Sequence, residues 1–226
     1  MIKVKLNNRT YKIPDRFTLD QYKAIVNLDA GDHKNWPVIM GVGLNQPTGR
    51  FIKADEDSLL LGASLIIHSL AQRIEAPHRD FTTLTFGEFI DLDIYMVLGM
   101  DQHLDDILKI IGIQEYSANE ALYIIDQFAN FRITTYRSYS GLFGLNSKGE
   151  QEDVDPEEFN PKKVSTGWYK VIVDLADDDL LRIDPITDQP LNKTLTFMSL
   201  RKEKALAEQK RQLEQKRKHD ISRNRK

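Results

Sequence analysis

The chain of 226 residues contains no cysteine. Disulfide bonds, thiolate zinc sites and cysteine nucleophiles are therefore excluded. The sequence also lacks a run of about 18 consecutive apolar residues, the length that a membrane-spanning helix needs. Its longest apolar stretch, 59–70, is interrupted by Ser64 and His68. We therefore expect a soluble protein, made in a cytoplasm, that contacts no membrane.

Signatures of common catalytic sites are equally scarce. The five histidines do not stand at the H-x-x-x-H or H-x-H spacings of zinc sites. Neither the phosphate-binding loop G-x-x-x-x-G-K-[ST] nor the nucleophile motif G-x-S-x-G occurs. Residues 41–43 lack the third glycine of a dinucleotide fingerprint, and 78–80 match a kinase tripeptide without the other kinase motifs. We predict a non-enzymatic protein without catalytic, cofactor-binding or metal-binding residues, and without a small-molecule substrate.

Two polar features admit a functional interpretation beside a structural one. The residues Asp177, Asp178 and Asp179 are consecutive, and carboxylates can bind a hard cation such as Mg²⁺. Adjacent helical positions point in different directions, so a solvated helix end is favoured over a metal-dependent enzyme. His68 stands within an apolar helical pattern, which favours a core or interface histidine over a ligand.

Composition and periodicity predict a mainly α protein. Hydrophobic residues make up 41% of the chain and charged residues 29%, values typical of a folded soluble domain. Alternating apolar residues at Ile2, Val4 and Leu6 predict a small N-terminal β-hairpin. The predicted organisation is a hairpin at 1–13, a helical core at 14–137, an acidic loop at 138–165, helices that complete the core at 166–200, and a basic polar helical terminus at 201–226.

Local signals place the helices within this outline. Three capping boxes, at 18–21, 85–88 and 117–120, predict helix starts. A further helix is predicted from Asp57 or Ser58 to about Ile74, and another over 168–181. Gly41, Gly43, Pro47 and Gly49 make 36–51 a loop-rich connection with room for a short helix.

Charge is distributed unevenly along the chain. The net charge is only −3, yet residues 201–226 hold eleven basic against four acidic side chains, a balance of +7. The other 200 residues hold twenty basic and thirty acidic side chains, a balance of −10. An acidic body with a basic terminus is thus predicted.

The basic terminus is the candidate partner-binding element. Leu191, Leu195 and Met198 recur at helical spacing and should pack on the body, whereas the apolar stripe beyond residue 200 is thin. The predicted partner-binding residues are Arg201, Lys202, Lys204, Leu206, Lys210, Arg211, Leu213, Lys216, Arg217, Lys218, Arg223, Arg225 and Lys226.

Three interpretations of the basic terminus stay open at this stage. It binds an acidic protein, it contacts nucleic acid non-specifically through phosphates, or it is an exposed solubilising helix. Interspersed glutamates at 203, 208 and 214 favour a helix over a disordered DNA-binding arm. No aromatic residue follows Phe197, so stacking on bases is excluded there.

Three stretches of the sequence resemble proteins of the structural gene blocks of tailed bacteriophages. They are 84–93 (Leu-Thr-Phe-Gly-Glu-Phe-Ile-Asp-Leu-Asp), 17–22 (Phe-Thr-Leu-Asp-Gln-Tyr) behind a short strand pair, and 168–175 with 184–190 before a polar helix. Together they resemble tail assembly chaperones and related virion-assembly proteins.

The resemblance implies an all-helical fold that binds the tape-measure protein, or neighbouring virion subunits, and carries out no catalysis. It implies that the protein acts in the host cytoplasm during assembly, and it leaves open whether the protein is retained in the virion. The acidic stretch 138–165 departs from the chaperone pattern. The alternative from another class is a nucleic-acid-binding accessory protein that uses the basic terminus.

Overall fold

The computed structural model describes residues 2–6, 8–113, 115–143 and 161–223, with the backbone alone at 161–163 and 218–223. These residues are mostly helical, with an antiparallel hairpin at the N-terminus and a 33-residue helix near the C-terminus. The predicted mainly α fold with a small N-terminal β-hairpin and a projecting C-terminal helix is confirmed.

The hairpin joins strands β1 (Ile2–Leu6) and β2 (Arg9–Ile13). Its antiparallel register places Val4 opposite Tyr11. Asn8 adopts the left-handed conformation (φ 59°) that a tight turn needs and that asparagine tolerates. The buried residues of the hairpin are Val4, Leu6 and Ile13.

Ten helices follow the hairpin in the described residues. Their bounds are α1 (Leu19–Val26), α2 (Trp36–Gly43), α3 (Glu56–Ala71), α4 (Phe86–Gly99), α5 (Leu104–Ile111), α6 (Ala118–Ser138), α7 (Ser140–Phe143), α8 (Pro161–Leu175), α9 (Ile183–Thr187) and α10 (Leu191–Arg223). None of them combines the length and the apolarity that crossing a bilayer requires.

Contacts divide the chain into two compact units. Unit 1 comprises Met1–Arg79 and Gly99–Ala129, and unit 2 comprises Asp80–Leu98 and Asn130–Lys226. The sequence predicted one helical core shared by 14–137 and 166–200, whereas the structure distributes these residues over the two units.

All three predicted capping boxes form. In the first, the Gln21 amide donates to Thr18 Oγ1 at 3.1 Å while the Gln21 side chain accepts from the Thr18 amide at 2.9 Å. The boxes at 85–88 and 117–120 make the same reciprocal bonds at the starts of α4 and α6. Each box satisfies backbone amides that the first helical turn leaves without a partner.

Asn119 on α6 organises unit 1. Its side-chain amide donates to the carbonyls of Ser69 (2.9 Å) and Gln72 (2.8 Å) at the end of α3. Its Oδ1 accepts from the Phe17 amide at 3.0 Å, just before α1 begins. Since Asn119 is fully buried, it supplies these backbone groups with partners that water cannot supply.

Asp93 on α4 has the corresponding role in unit 2. This fully buried carboxylate accepts from Arg132 Nε, from the Tyr136 hydroxyl (2.7 Å) and from Trp168 Nε1 (2.7 Å). Arg132 and Tyr136 lie on α6 and Trp168 lies on α8, so one side chain links three helices. Burial, followed by the Asp93 charge, raises the pKa of Tyr136 far above its ordinary value.

Aromatic packing surrounds this carboxylate. The Trp168 ring stands edge-on to Phe86 and Phe89, with centroids 5.9 and 6.2 Å away. Phe143 on α7 contacts Tyr136 edge-on at 4.4 Å. The three hydrogen-bond donors of Asp93 thus stand within or beside a cluster of aromatic rings, and they give the buried carboxylate the partners that it needs in place of water.

Several predicted boundaries are wrong. The cap of α3 is Asp55 instead of Asp57 or Ser58, and the helix ends at Ala71 instead of about Ile74. The helix predicted at 168–181 is α8, which starts at Pro161 and ends at Leu175, because Asp177 and Asp178 adopt left-handed backbone angles that stop the helix there. The short helix that the prediction allowed within 36–51 is α2.

The predicted acidic loop at 138–165 is shorter than expected. Its ends belong to helices: Ser138 closes α6, 140–143 form α7 and 161–165 begin α8. Residues 144–160, which carry most of its acidic side chains, lie outside the described residues.

Replacement of Asn119 by alanine should destabilise unit 1 strongly. The substitution leaves the Phe17 amide and the carbonyls at the end of α3 buried without partners, and each such group costs about 1–3 kcal/mol. We expect the free energy of unfolding in urea to fall by about 3 kcal/mol. Asn27→Ala, which removes one long exposed bond, is the control and should change it by less than about 0.5 kcal/mol.

Tyr136→Phe should change how stability depends on alkaline pH. A tyrosine whose pKa is raised by folding stabilises the protein fully below its unfolded pKa of about 10. That stability is lost as the pH rises toward the folded pKa, at up to about 1.4 kcal/mol per pH unit. The variant should therefore be less stable at pH 7 and show a shallower decline between about pH 10 and 11 in urea unfolding. An unchanged slope would show that Tyr136 ionises normally in the folded protein.

Candidate functional site

The start of α10 is fixed to the start of α4 within unit 2. The Leu191 amide donates to the Leu84 carbonyl at 3.1 Å, and the Phe86 amide donates to the Gln189 carbonyl at 2.8 Å. These bonds form a short antiparallel bridge that sets the direction in which α10 leaves. Leu191 and Leu195 are fully buried behind it, as the apolar spacing predicts.

The last attachment of α10 to unit 2 is polar. Arg201 donates to the Asp174 carbonyl at the end of α8 at 3.1 Å and lies 3.7 and 3.8 Å from the carboxylates of Asp174 and Asp177. Lys202 reaches the Leu142 carbonyl at 3.5 Å. Exposed ion pairs of this kind contribute only about 0–1 kcal/mol each, so the buried leucines supply most of the anchoring.

From residue 201 to 217, every side chain of α10 is exposed. We call residues 201–217 the exposed segment. It carries seven basic and three acidic side chains and two large apolar residues, Leu206 and Leu213, which are 49% and 52% exposed. A helical stretch of this length that contacts the rest of the protein only near its start is usually only marginally stable in water.

The two exposed leucines continue the buried stripe of the same helix. At about 100° per residue, Leu195, Leu206 and Leu213 fall within about 20° of one another around the axis. Leu195 is completely buried in unit 2, whereas the same face has no cover farther along. The leucine face of the exposed segment therefore continues, without cover, the face that packs inside unit 2.

Basic side chains flank the leucine face. Lys202, Lys210 and Arg217 lie within about 50° of the Leu206–Leu213 line, whereas Glu208 lies on the opposite side of the helix. Within 201–217, the glutamates nearest to that line are about 70° away or more. The face thus presents two apolar anchors about 10 Å apart, surrounded by positive charge.

The structure brings most of the predicted binding residues onto this one segment. These residues are Arg201, Lys202, Lys204, Leu206, Lys210, Arg211, Leu213, Lys216 and Arg217. At about 100° per residue, Arg201, Lys204 and Arg211 lie on the side of the helix away from the leucine face. Lys218 and Arg223 belong to α10 by backbone, while Arg225 and Lys226 lie outside the described residues.

A second surface of unit 2, at the end of α8, escaped the sequence prediction. A groove of about 430 Å³ lies there, lined by Tyr169, Lys170, Val173, Asp174, Asp177 and Asp178. We call it the aspartate groove. Leu180 and Leu181 follow it in a capped 3₁₀ turn and are 75% and 85% exposed. In the sequence, the one feature that could have indicated this surface is the pair of adjacent leucines directly after an acidic run.

Arg182 holds this leucine turn beside the aspartate groove. Its guanidinium donates to Asp177 Oδ2 at 3.2 Å, and its Nε lies 3.2 Å from Asp179 Oδ2. The aspartates therefore serve ion pairs at the end of a helix. Nowhere in the described part of the chain do three or more His, Asp or Glu side chains assemble in a way that could hold a metal ion.

His68 does not occupy the core position that was one of its two predicted alternatives. It is exposed on α3 and contacts Gln72, whose side-chain nitrogen lies 3.2 Å from His68 Nε2. The apolar residues on either side gave the impression of a buried position, but His68 falls on the solvent face of the helix.

No family model, no curated protein and no solved structure matches the chain. The functional argument accordingly depends on the residues of the chain and on the surfaces of unit 2.

Substitution by alanine should lower the free energy of unfolding very differently at two leucines on one face of α10. Leu195→Ala removes a fully buried side chain and should cost about 2–5 kcal/mol in urea unfolding. Leu206→Ala, seven residues before Leu213 and exposed, should change stability by less than about 0.5 kcal/mol. Equal losses for the two variants would mean that the exposed segment packs on the protein in solution.

Proposed function

We propose that the protein is a non-enzymatic assembly protein that acts through protein–protein contacts, with the exposed segment of α10 as its docking element. The observation that carries the proposal is the continuity of one helix face from the buried Leu195 to the exposed Leu206 and Leu213. Apolar anchors surrounded by charge are typical of helices that dock in a partner groove.

The charge around the leucine face favours an acidic partner. Lys202, Lys210 and Arg217 would steer association and fix the orientation, while the leucines would supply the buried apolar area. Burial of a leucine side chain contributes about 1.5–3 kcal/mol, more than an exposed ion pair contributes. Binding should therefore be salt-sensitive in rate and should still require the leucines.

The resemblance of three sequence stretches to tail assembly chaperones supports a phage setting. In that setting the partner is the tape-measure protein or a neighbouring virion subunit, and the protein acts in the host cytoplasm. Mass spectrometry of purified particles separates the two roles, because a virion subunit is present in stoichiometric copies and a chaperone is absent.

A nucleic-acid accessory role is the alternative. The exposed segment carries enough lysine and arginine to contact phosphates, but its leucine face has no role in such contacts. Treatment with nuclease during capture distinguishes the two functions, because a protein partner stays bound after the nucleic acid is degraded.

Truncation of the chain after Arg201 should abolish partner capture and leave the folded body intact. The test is affinity capture from infected host cells, with nuclease, followed by mass spectrometry of the bound proteins. We expect the truncated chain to lose the captured virion or tape-measure protein while its thermal unfolding stays within a few degrees of the full chain.

A charge variant refines this experiment. Lys210→Glu with Arg217→Glu should weaken capture by about tenfold or more, as expected when two interfacial cations are reversed. Lys12→Glu with Lys53→Glu alters net charge equally at exposed positions of unit 1 and should leave capture unchanged. Full capture by the truncated chain would disprove the proposed role of α10.

A further inference from the structure

The exposed segment of α10 and the aspartate groove are complementary surfaces on the same chain. One is a helix face with two leucines and flanking cations. The other combines Tyr169 and Val173 with one lysine, Lys170, and with the carboxylates of Asp174, Asp177 and Asp178. Beside the groove, Leu180 and Leu181 are the most exposed large apolar side chains among the described residues. An apolar surface of this kind rimmed by charge is typical of an interaction site.

One contact within the chain already joins a basic side chain of α10 to the acidic end of α8. Arg201 binds the Asp174 carbonyl and lies near the carboxylates of Asp174 and Asp177, so the end of α8 accepts a basic side chain from α10. Among the described residues, no basic side chain lies within 4.0 Å of the Asp178 carboxylate, which leaves it available to a further cation.

Leu206 and Leu213 are 49% and 52% exposed, and neither lines the groove of its own chain. Arg201 marks where α10 passes the end of α8, and a helix rises about 1.5 Å per residue. Leu206 and Leu213 therefore lie about 7 and 18 Å farther along the axis. Residues 201–217 are continuous helix, so the segment does not fold back.

We infer that the exposed segment of one copy docks on the aspartate groove and leucine turn of a second copy. Leu206 and Leu213 would pack against Tyr169, Leu180 and Leu181 of the second copy, and Lys210 and Arg217 would approach its aspartates. The charge balance of the chain supports a second copy as the docking partner, since residues 201–226 carry a net charge of +7 and the remaining residues a net charge of −10.

Such a contact joins two different surfaces, so a pair of copies keeps one free donor helix on one copy and one free groove on the other. Heterologous contacts of this type build rings or open chains instead of closed dimers. Because the exposed segment is the docking element of the proposed function, this inference rests on that function and names a second copy of the chain as the partner.

The test is sedimentation velocity of the purified full-length chain, alone and in mixtures. At low salt the wild-type chain should form species that grow with concentration, and these should dissociate at about 0.5 M salt, where charges are screened within a few ångströms. A helix variant, Leu206→Ser with Leu213→Ser, should be monomeric. A groove variant, Asp178→Lys with Leu181→Ser, should also be monomeric, and it leaves the contacts of Arg201 in place.

Mixing the two variants gives the decisive result. The groove variant keeps an intact helix and the helix variant keeps an intact groove, so an equimolar mixture should form a 1:1 dimer that does not grow. The control Leu60→Ser with Leu61→Ser alters two exposed leucines of α3 in unit 1 and should associate like the wild type.

Two outcomes overturn the inference. One is a wild-type chain that stays monomeric at low salt, and the other is a mixture of the two variants that stays monomeric while the wild type associates. In either case, capture of a different acidic protein by the exposed segment would leave the proposed function standing. Loss of that capture as well would reject both.

Discussion

Unit 2 depends on one buried carboxylate. Asp93 is removed from water, so it must take its hydrogen bonds from Arg132, Tyr136 and Trp168, and this requirement draws parts of α6 and α8 onto α4. The placement of α8 in turn decides where its acidic end meets Arg201, and thereby where α10 leaves the unit. The buried Leu191 and Leu195 then anchor the start of α10, and the apolar face of this helix continues past the part that is buried in unit 2. The same face of α10 thus packs inside the unit at its start and is exposed for recognition farther along.

Features encoded by neighbouring residues could be predicted from the sequence. The capping boxes at 18–21, 85–88 and 117–120 depend on side chains three residues apart, so their patterns are visible in the chain. The thin stripe beyond Leu200 likewise predicts that the end of α10 is exposed. Fold class and the exposed segment therefore follow from local chemistry and periodicity.

Features that depend on distant partners could not be predicted in this way. Asp93 meets Trp168 75 positions later, and Asn119 meets the end of α3 about 50 positions earlier, so no local pattern marks either residue. Gly41 and Gly43 suggested a loop-rich connection, but they lie in the helix α2, where glycine is needed for close packing: a Cβ would come within 2.8 Å of Thr48 and 2.6 Å of Ile66. The leucine turn was hidden because two left-handed aspartates end α8 early, and a helical pattern does not reveal that.

Amide hydrogen exchange along α10 tests the central claim, that one helix is anchored only at its base and is free to dock beyond it. In dilute protein at high salt, amides of 191–200 should be strongly protected, and protection should fall sharply after residue 201, since a helix without tertiary contacts opens readily. Under assembling conditions, protection should extend along 201–217. Uniformly strong protection through residue 217 in the dilute protein, or no gain in protection on assembly, would contradict the account.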